Sequence, residues 1–514
     1  MALARTFAVA LTGVRGDIVE VEADIAAGLP AFVLIGLPDA ALGESRKRVT
    51  AAAVNAGLPV AQRKLTVNLS PASLRKQGSA FDLAIAIASL AASGDVPAPA
   101  AAAAVHLGEL GLDGRLRPVP GVLPAVLAAR SAGFRRVLVP TANAAEAELV
   151  DDIEVVPVAS LRAAAIAHGA ELDPVEVDPV TADAHDTGPA PADPDLSDVA
   201  GNEEAVDALV AAAAGGHHLA MIGPPGAGKT MLARRLPSLL PDLTAEQALE
   251  TTSIRSLAGL GVNDGLLRRP PFEAPHHTAS AVALVGGGSG RIVPGAIVRA
   301  TNGVLFLDEA AEFPPSVLDA LRQPLESGTI SIHRASGTAT FPARFQLILA
   351  SNPCPCGRYG SLDEECTCSP IARRRYLARM SGPLMDRVDV RLTVRRLGLG
   401  ALRAATDGAP PGPSSTVLRE RVLAARTAAA DRLRDTPWRR NADVDGTWLR
   451  AGPRRLRAAA LASLDRALER GGVTMRGYDR TLRVAWTLAD LDGAPTPTAD
   501  HVGRALFLRR GIRS

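Results

Sequence analysis

The sequence predicts an α/β protein: a parallel-stranded nucleotide-binding core, an α+β region before it and a helical region after it. Three observations carry this. The run Gly223, Pro224, Pro225, Gly226, Ala227, Gly228, Lys229, Thr230 fits G-x-x-x-x-G-K-[ST], and it stands between an apolar stretch at 218–222 and a helix-like one at 231–236. Two more apolar runs, 304–307 and 345–350, end in polar tips, Asp308-Glu309 and Asn352. Two Pro-rich stretches, 174–194 and 407–415, interrupt the pattern and read as linkers.

Each core element has a physical reason. Glycines let backbone N–H groups turn inward around phosphates, and the helix that follows adds its positive dipole end. Lys229 then reaches the β- and γ-phosphates of a nucleoside triphosphate, and Thr230 is a ligand for Mg²⁺. The run at 304–307 has the composition of a parallel strand covered on both faces, and such strands deliver functional groups at their carboxyl ends. Asp308 is therefore read as supporting Mg²⁺ and Glu309 as polarising the attacking water. Asn352, at the tip of the third strand, is positioned for the γ-phosphate or that water.

The remainder of the chain sets bounds. The 514 residues are 47% hydrophobic with a net charge of +2, so any nucleic-acid contact rests on local patches rather than on bulk charge. No apolar run is long enough to span a membrane, and 7–11 is too short for a secretory signal core, which makes a cytoplasmic protein without membrane contact the expectation. Residues 19–24 alternate with period two, 80–92 read as a buried helix, and 137–139 read as a buried strand closed by Pro140. The expected divisions are 1–170, a linker at 171–197, the core at 198–400 and a helical tail at 416–514.

Longer motifs narrow the assignment. FEAPHHTASAVALVGGG from Phe272, GVLFLDEAAEF from Gly303, SNPCPCG from Ser351 and SGPLMDRVD from Ser381 closely resemble the ComM/YifB family of magnesium-chelatase-like AAA+ ATPases. The resemblance extends to GLPAFVLIGLPD and KLTVNLSPASLRKQGSAFDLAIA near the start and RGYDRTLRVAWTLADL near the end. It implies an AAA+ core, a C-terminal helical lid and an N-terminal region like that of Lon proteases (the ribosomal S5 domain 2-like fold). It implies a homo-hexameric ring with ATP and Mg²⁺ between subunits. Arg387 matches the family's arginine finger, which completes a neighbour's site, and Arg476 matches the lid arginine that touches ATP. By the same resemblance 329–345 is a pore-facing hairpin, with His333, Arg334 and Arg344 as DNA contacts, the alternative being an ordinary solvated hairpin.

The implied activity is an ATP-driven motor on branched or single-stranded DNA, promoting branch migration in recombination and natural transformation. A Lon-like remodelling factor without protease activity is one alternative, and a chelatase motor inserting Mg²⁺ into a porphyrin is the main one. The long N-terminal region and the cysteines speak against it. A Lon-like protease is disfavoured because Ser79 has no lysine partner: none occurs between Lys76 and Lys229. Cys354, Cys356, Cys366 and Cys368 are the chain's four cysteines, spaced C-x-C, nine residues, C-x-C. One tetrahedral Zn²⁺ or four reduced thiols both fit that spacing. His276 and His277 are adjacent and do not share a helix face, so a two-point metal site is not expected there; a pore or nucleotide-proximal role and a structural role both stay open.

Overall fold

The computed structural model describes residues 2–36, 43–59, 63–74, 76, 78–181, 194–199, 201–262, 265–288, 292–334, 337–360, 365–396 and 412–510. The N-terminal region is a seven-stranded mixed sheet, ordered Ala31–Ile35, Lys64–Ser70, Arg15–Ala26, Ala2–Thr12, Val105–His106, Arg136–Pro140, Glu154–Val158. The period-two stretch lies in Arg15–Ala26: Val19, Val21 and Ala23 are buried, and the acidic residues between them are only partly covered. The helix Asp82–Ser93 is buried from Asp82 to Ala92, as its unbroken apolar sequence requires.

The second sheet has five strands, all parallel, in the order Phe272–Glu273, Val304–Leu307, Gln346–Ser351, Leu219–Ile222, Val390–Thr393. Each of the three central strands is buried at every residue. That explains their unalternating composition, since both faces are covered by helices or loops. One strand, Gln346–Ser351, separates the strand that feeds the phosphate loop from the strand that ends at Asp308. Its tip residue Asn352 therefore emerges between the two.

Helices Ser415–Arg432, Ala458–Glu469, Met475–Leu491 and Ala499–Arg510 form the C-terminal region, and their apolar faces share one core with the five-stranded sheet. The first begins at Ser415, one residue before the expected boundary, because the Ser414 hydroxyl caps it at the Val417 N–H. The linker expected at 174–194 is described to 181, without regular structure, and its 182–193 portion lies outside the described residues. Much of 407–415 lies outside them too. No described helix is long and apolar enough to cross a membrane.

The two sheets are joined by a buried contact. Gly121 N–H donates to the Ser256 carbonyl at 3.2 Å, and the Ser256 hydroxyl donates to the Glu146 carboxylate. Burial raises the Glu146 pKa, against the pull of its bonds to Ser256, Leu123 and Asn143. The expected hairpin forms from Thr329–Arg334 and Gly337–Pro342. Ile330, Ile332, Ala339 and Phe341 face the core. Phe345 is not part of it; it sits one residue before the strand Gln346–Ser351.

Candidate nucleotide site

Residues 225–231, Asp308, Glu309, Ser351 and Asn352 line a cavity of about 410 Å³ at the carboxyl ends of the parallel strands. The backbone of Gly226 and Gly228 is left-handed, with φ of 75° and 88°, so a side chain at either position would strain the loop. Gly228 caps the helix Lys229–Leu239, whose first N–H groups open toward the cavity. The loop is tied to both neighbouring strands. Gly223 N–H donates to the Ser351 carbonyl at 3.2 Å, and Val394 N–H donates to the Ile222 carbonyl at 2.8 Å.

The Lys229 ammonium donates to the carbonyls of Gly223 (2.6 Å) and Pro224 (3.0 Å) and to Asn352 Oδ1 (3.2 Å). It is only 8% exposed. Burial lowers its pKa, and Asp308 and Glu309 oppose that shift. Thr230 Oγ1 donates to Asp308 Oδ2 at 2.6 Å, which joins helix and acidic strand at the point where a Mg²⁺ ligand pair is needed. The glycine cradle, the buried Lys229 ammonium and the hydroxyl–carboxylate pair together fit a Mg²⁺–triphosphate.

Glu309 has left-handed backbone, φ 52° and ψ 43°, an uncommon conformation for a side-chain-bearing residue. Its N–H donates to Asp308 Oδ1 at 2.9 Å. Its carboxylate lies 2.9 Å from His277 Nδ1. Sequence reasoning left His276 and His277 open between a pore or nucleotide-proximal role and a structural one. The one available signal was its place just after the strand Phe272–Glu273, which neighbours the strand ending at Asp308. His276 turns instead to Thr278 Oγ1, at 2.8 Å.

Arg387 and Arg476 do not line the cavity. Arg387 is 8% exposed, donates to the Pro383 carbonyl at 2.5 Å and pairs with the Glu326 carboxylate. Burial lowers its pKa, and the positive charges of Arg322, Arg476 and Arg480 add to the effect. Arg476 is thus within electrostatic range of Arg387 of its own chain, and its side chain is exposed. Arg480, one turn on, is engaged elsewhere: it pairs with the buried Asp389 at 2.5 Å. Burial works to raise the Asp389 pKa, but Arg480, His217 and His218 overcome it and hold the carboxylate well below its ordinary value. His217 completes this junction by bonding Thr487 of the C-terminal helices at 2.7 Å.

The other candidates fall into place as follows. Cys354, Cys356, Cys366 and Cys368 bring their sulfurs together within 4.8 Å. His333 and Arg344 are exposed, at the hairpin's outer face and base, and the Arg334 side chain lies outside the described residues. The Ser79 hydroxyl donates to the Glu109 carboxylate. The buried Lys76 ammonium donates to the carbonyls of Gly36 (3.1 Å), Leu69 (2.9 Å) and Pro71. These two side chains do not form a Ser–Lys dyad.

The sheet order and loop define a P-loop protein of the AAA+ class. Three family models match: magnesium chelatase, subunit ChlI, at residues 195–402, subunit ChlI of Mg-chelatase at 21–143, and magnesium chelatase, subunit ChlI C-terminal, at 412–509. The chain is 51% identical to an uncharacterized protein of Mycobacterium tuberculosis over 99% of both chains. It is 41% identical to competence protein ComM of Haemophilus influenzae, over 100% of this chain and 98% of that one. A shorter stretch of 142 residues, 28% of this chain and 16% of the other, is 29% identical to the DNA replication licensing factor mcm7 of Schizosaccharomyces pombe. The chain belongs to the ComM/YifB family of magnesium-chelatase-like AAA+ ATPases.

Proposed function

We propose that this protein is an ATP-hydrolysing ring motor that moves branched or single-stranded DNA, with each ATP cleaved between two protomers. The observation that carries the reading is the convergence of Lys229, Thr230, Asp308, Glu309 and Asn352 on one cavity while Arg387 lies outside it. Within one chain, Lys229 neutralises the β- and γ-phosphates, and Thr230 and Asp308 would hold Mg²⁺, which supplies further charge neutralisation. Glu309 accepts a proton from the attacking water, and Asn352 orients the γ-phosphate. Arg387 stabilises the charge developing in the neighbouring protomer's site, and Arg476 reports nucleotide state to the helical lid.

DNA as the substrate is supported by the relatives: one is named for competence and another for DNA replication licensing. The exposed His333 and Arg344 are the side chains offered to its backbone. A hexamer is the assembly that brings finger and cradle together. Two measurements test the reading. Wild-type protein is expected to hydrolyse ATP faster with forked or four-way junctions and to move those junctions. Lys229→Ala is expected to lose nucleotide binding. ATP turnover indifferent to every DNA structure would reject the DNA motor, and unchanged nucleotide affinity in Lys229→Ala would reject the site.

A further inference from the structure

The four cysteines are arranged for a purpose that the ATP site alone does not supply. Cys354 Sγ lies 3.4 Å from Cys356 Sγ and 3.6 Å from Cys366 Sγ; Cys356 and Cys366 are also 3.6 Å apart. Cys368 completes a group whose ligand atoms all fall within 4.8 Å. None of the four is in a disulfide. Four thiolates around one Zn²⁺ at about 2.3 Å sit about 3.8 Å from one another, so Cys354, Cys356 and Cys366 need only a few tenths of an ångström of adjustment and Cys368 about 1 Å at most.

The loop that carries them has little else to hold it. Among the described residues of 353–369, only Pro353, Cys354 and Gly357 are buried, and none lies in a helix or strand. Yet the loop is shaped in detail. Gly357 adopts φ 77° and its N–H donates to the Cys354 carbonyl at 3.0 Å, which makes a tight knuckle between the first two thiols and the rest. The Tyr359 backbone N–H is directed at the Cys354 sulfur and the Arg358 N–H at that of Cys356. Backbone donors aimed at sulfur are what metal-bound thiolates need from their surroundings.

The knuckle is seated on the nucleotide site. A Cβ at Gly357 would stand 2.8 Å from Pro225 Cδ and 2.9 Å from Pro225 Cγ, and within 4.0 Å of Asn352 Cγ. Asn352 is two residues before the first cysteine and bonds Lys229. On the far side Ser369, next to the last cysteine, caps the helix Pro370–Leu377, and Arg373 of that helix lies 4.0 Å over the Tyr359 ring. The chain then leads directly to Arg387.

We infer that Cys354, Cys356, Cys366 and Cys368 hold one zinc ion, and that this ion is the strut that keeps Asn352 and Pro225 in place around the phosphate loop. The ion takes no part in chemistry, because all four ligands come from the protein and leave no open position. It replaces a hydrophobic core that this polar loop cannot form. The metal site stands on the thiol geometry alone; its effect on nucleotide rests on the phosphate-loop reading.

The test uses the full chain purified without chelators. Elemental analysis is expected to give about one zinc per chain, and Co²⁺ exchanged into the protein is expected to show tetrahedral thiolate absorption. Cys356→Ser combined with Cys366→Ser is expected to lose the metal and to weaken binding of a fluorescent ATP analogue roughly tenfold or more, with far-UV circular dichroism nearly unchanged. Lys229→Ala is expected to keep its zinc while losing nucleotide, which separates failure of the metal site from failure of the ATP site. Protein that contains no metal and gives no Co²⁺ thiolate band overturns the site. Iron in place of zinc overturns the choice of ion. A double variant that loses metal but binds nucleotide as tightly as wild type overturns the strut. If that variant does not fold, zinc removal from wild type by a chelator, followed by the same nucleotide titration, decides the point.

Discussion

The phosphate loop and the Arg387 region make an instructive contrast. Around the loop every functional side chain already meets its partners within the chain: Lys229 with Asn352, Thr230 with Asp308, Glu309 with His277. Arg387 is as buried as Lys229 but is held by Glu326, a residue whose side chain is 61% exposed. A pair with one exposed member is worth about 0–1 kcal/mol, so a phosphate can displace it. On the function proposed above, the contrast fits a cradle complete in one protomer and a guanidinium held for the next.

The sharpest way to break this comparison is to remove Arg387. Arg387→Ala is expected to lower kcat by ~10³-fold or more while nucleotide affinity changes little. Glu309→Gln should cost ~10²–10⁴ in kcat, again with ATP still bound. Mixing the two inactive variants should restore measurable turnover, because some interfaces then combine an intact cradle with an intact finger. If the mixture stays as dead as its components, Arg387 does not act across the interface.

Smaller effects sharpen the picture. His277→Ala frees the Glu309 carboxylate and is expected to raise DNA-independent turnover about fivefold, the size of one half-exposed polar contact, with KM unchanged. A drop in turnover would mean that His277 assists Glu309 rather than restraining it. Glu326→Ala is expected to change kcat by less than about fivefold, since it removes only a displaceable partner; a hundredfold loss would show that Glu326 positions the finger.

The histidines extend the comparison to stability. Burial lowers His218 to about 4, against the pull of Asp389, and its Nδ1 accepts the Leu347 N–H at 3.0 Å, a bond that needs the neutral ring. Burial, reinforced by His168, lowers His106 in the N-terminal sheet to about 3. The unfolded chain, near 6.5, binds more protons than the folded one in this window. Stability is therefore fully present above pH 6.5 and falls on acidification, by up to about 1.4 kcal/mol per pH unit for each buried ring. Urea unfolding midpoints at pH 7 and pH 5 measure this, and equal midpoints would contradict it.

Much of the candidate site was legible because its geometry is local. The glycine spacing before Lys229 forces the loop, and an apolar run ending in Asp308-Glu309 can only be a covered strand delivering carboxylates. The Asn352 strand was readable for the same reason. What sequence reasoning left open was which role His277 has, because an adjacent pair of histidines gives no signal for a partner 32 positions away. Arg476 and Arg480 show the limit from another side. Both lie near the start of one helix, and only packing decides that Arg480 binds Asp389 while Arg476 remains exposed.

By itself the sequence determined the order of strands and helices, the phosphate loop, the acidic strand end and the bringing together of four thiols within 15 residues of chain. These follow from hydrophobic period, glycine freedom and short spacing, which act between near neighbours. Only the tertiary structure decided that Glu326 holds Arg387, that His277 meets Glu309 and that the cysteine knuckle rests on Pro225. Such contacts join segments far apart in the chain. They depend on how strands stack side by side and which loop tips then converge, and no local pattern encodes that.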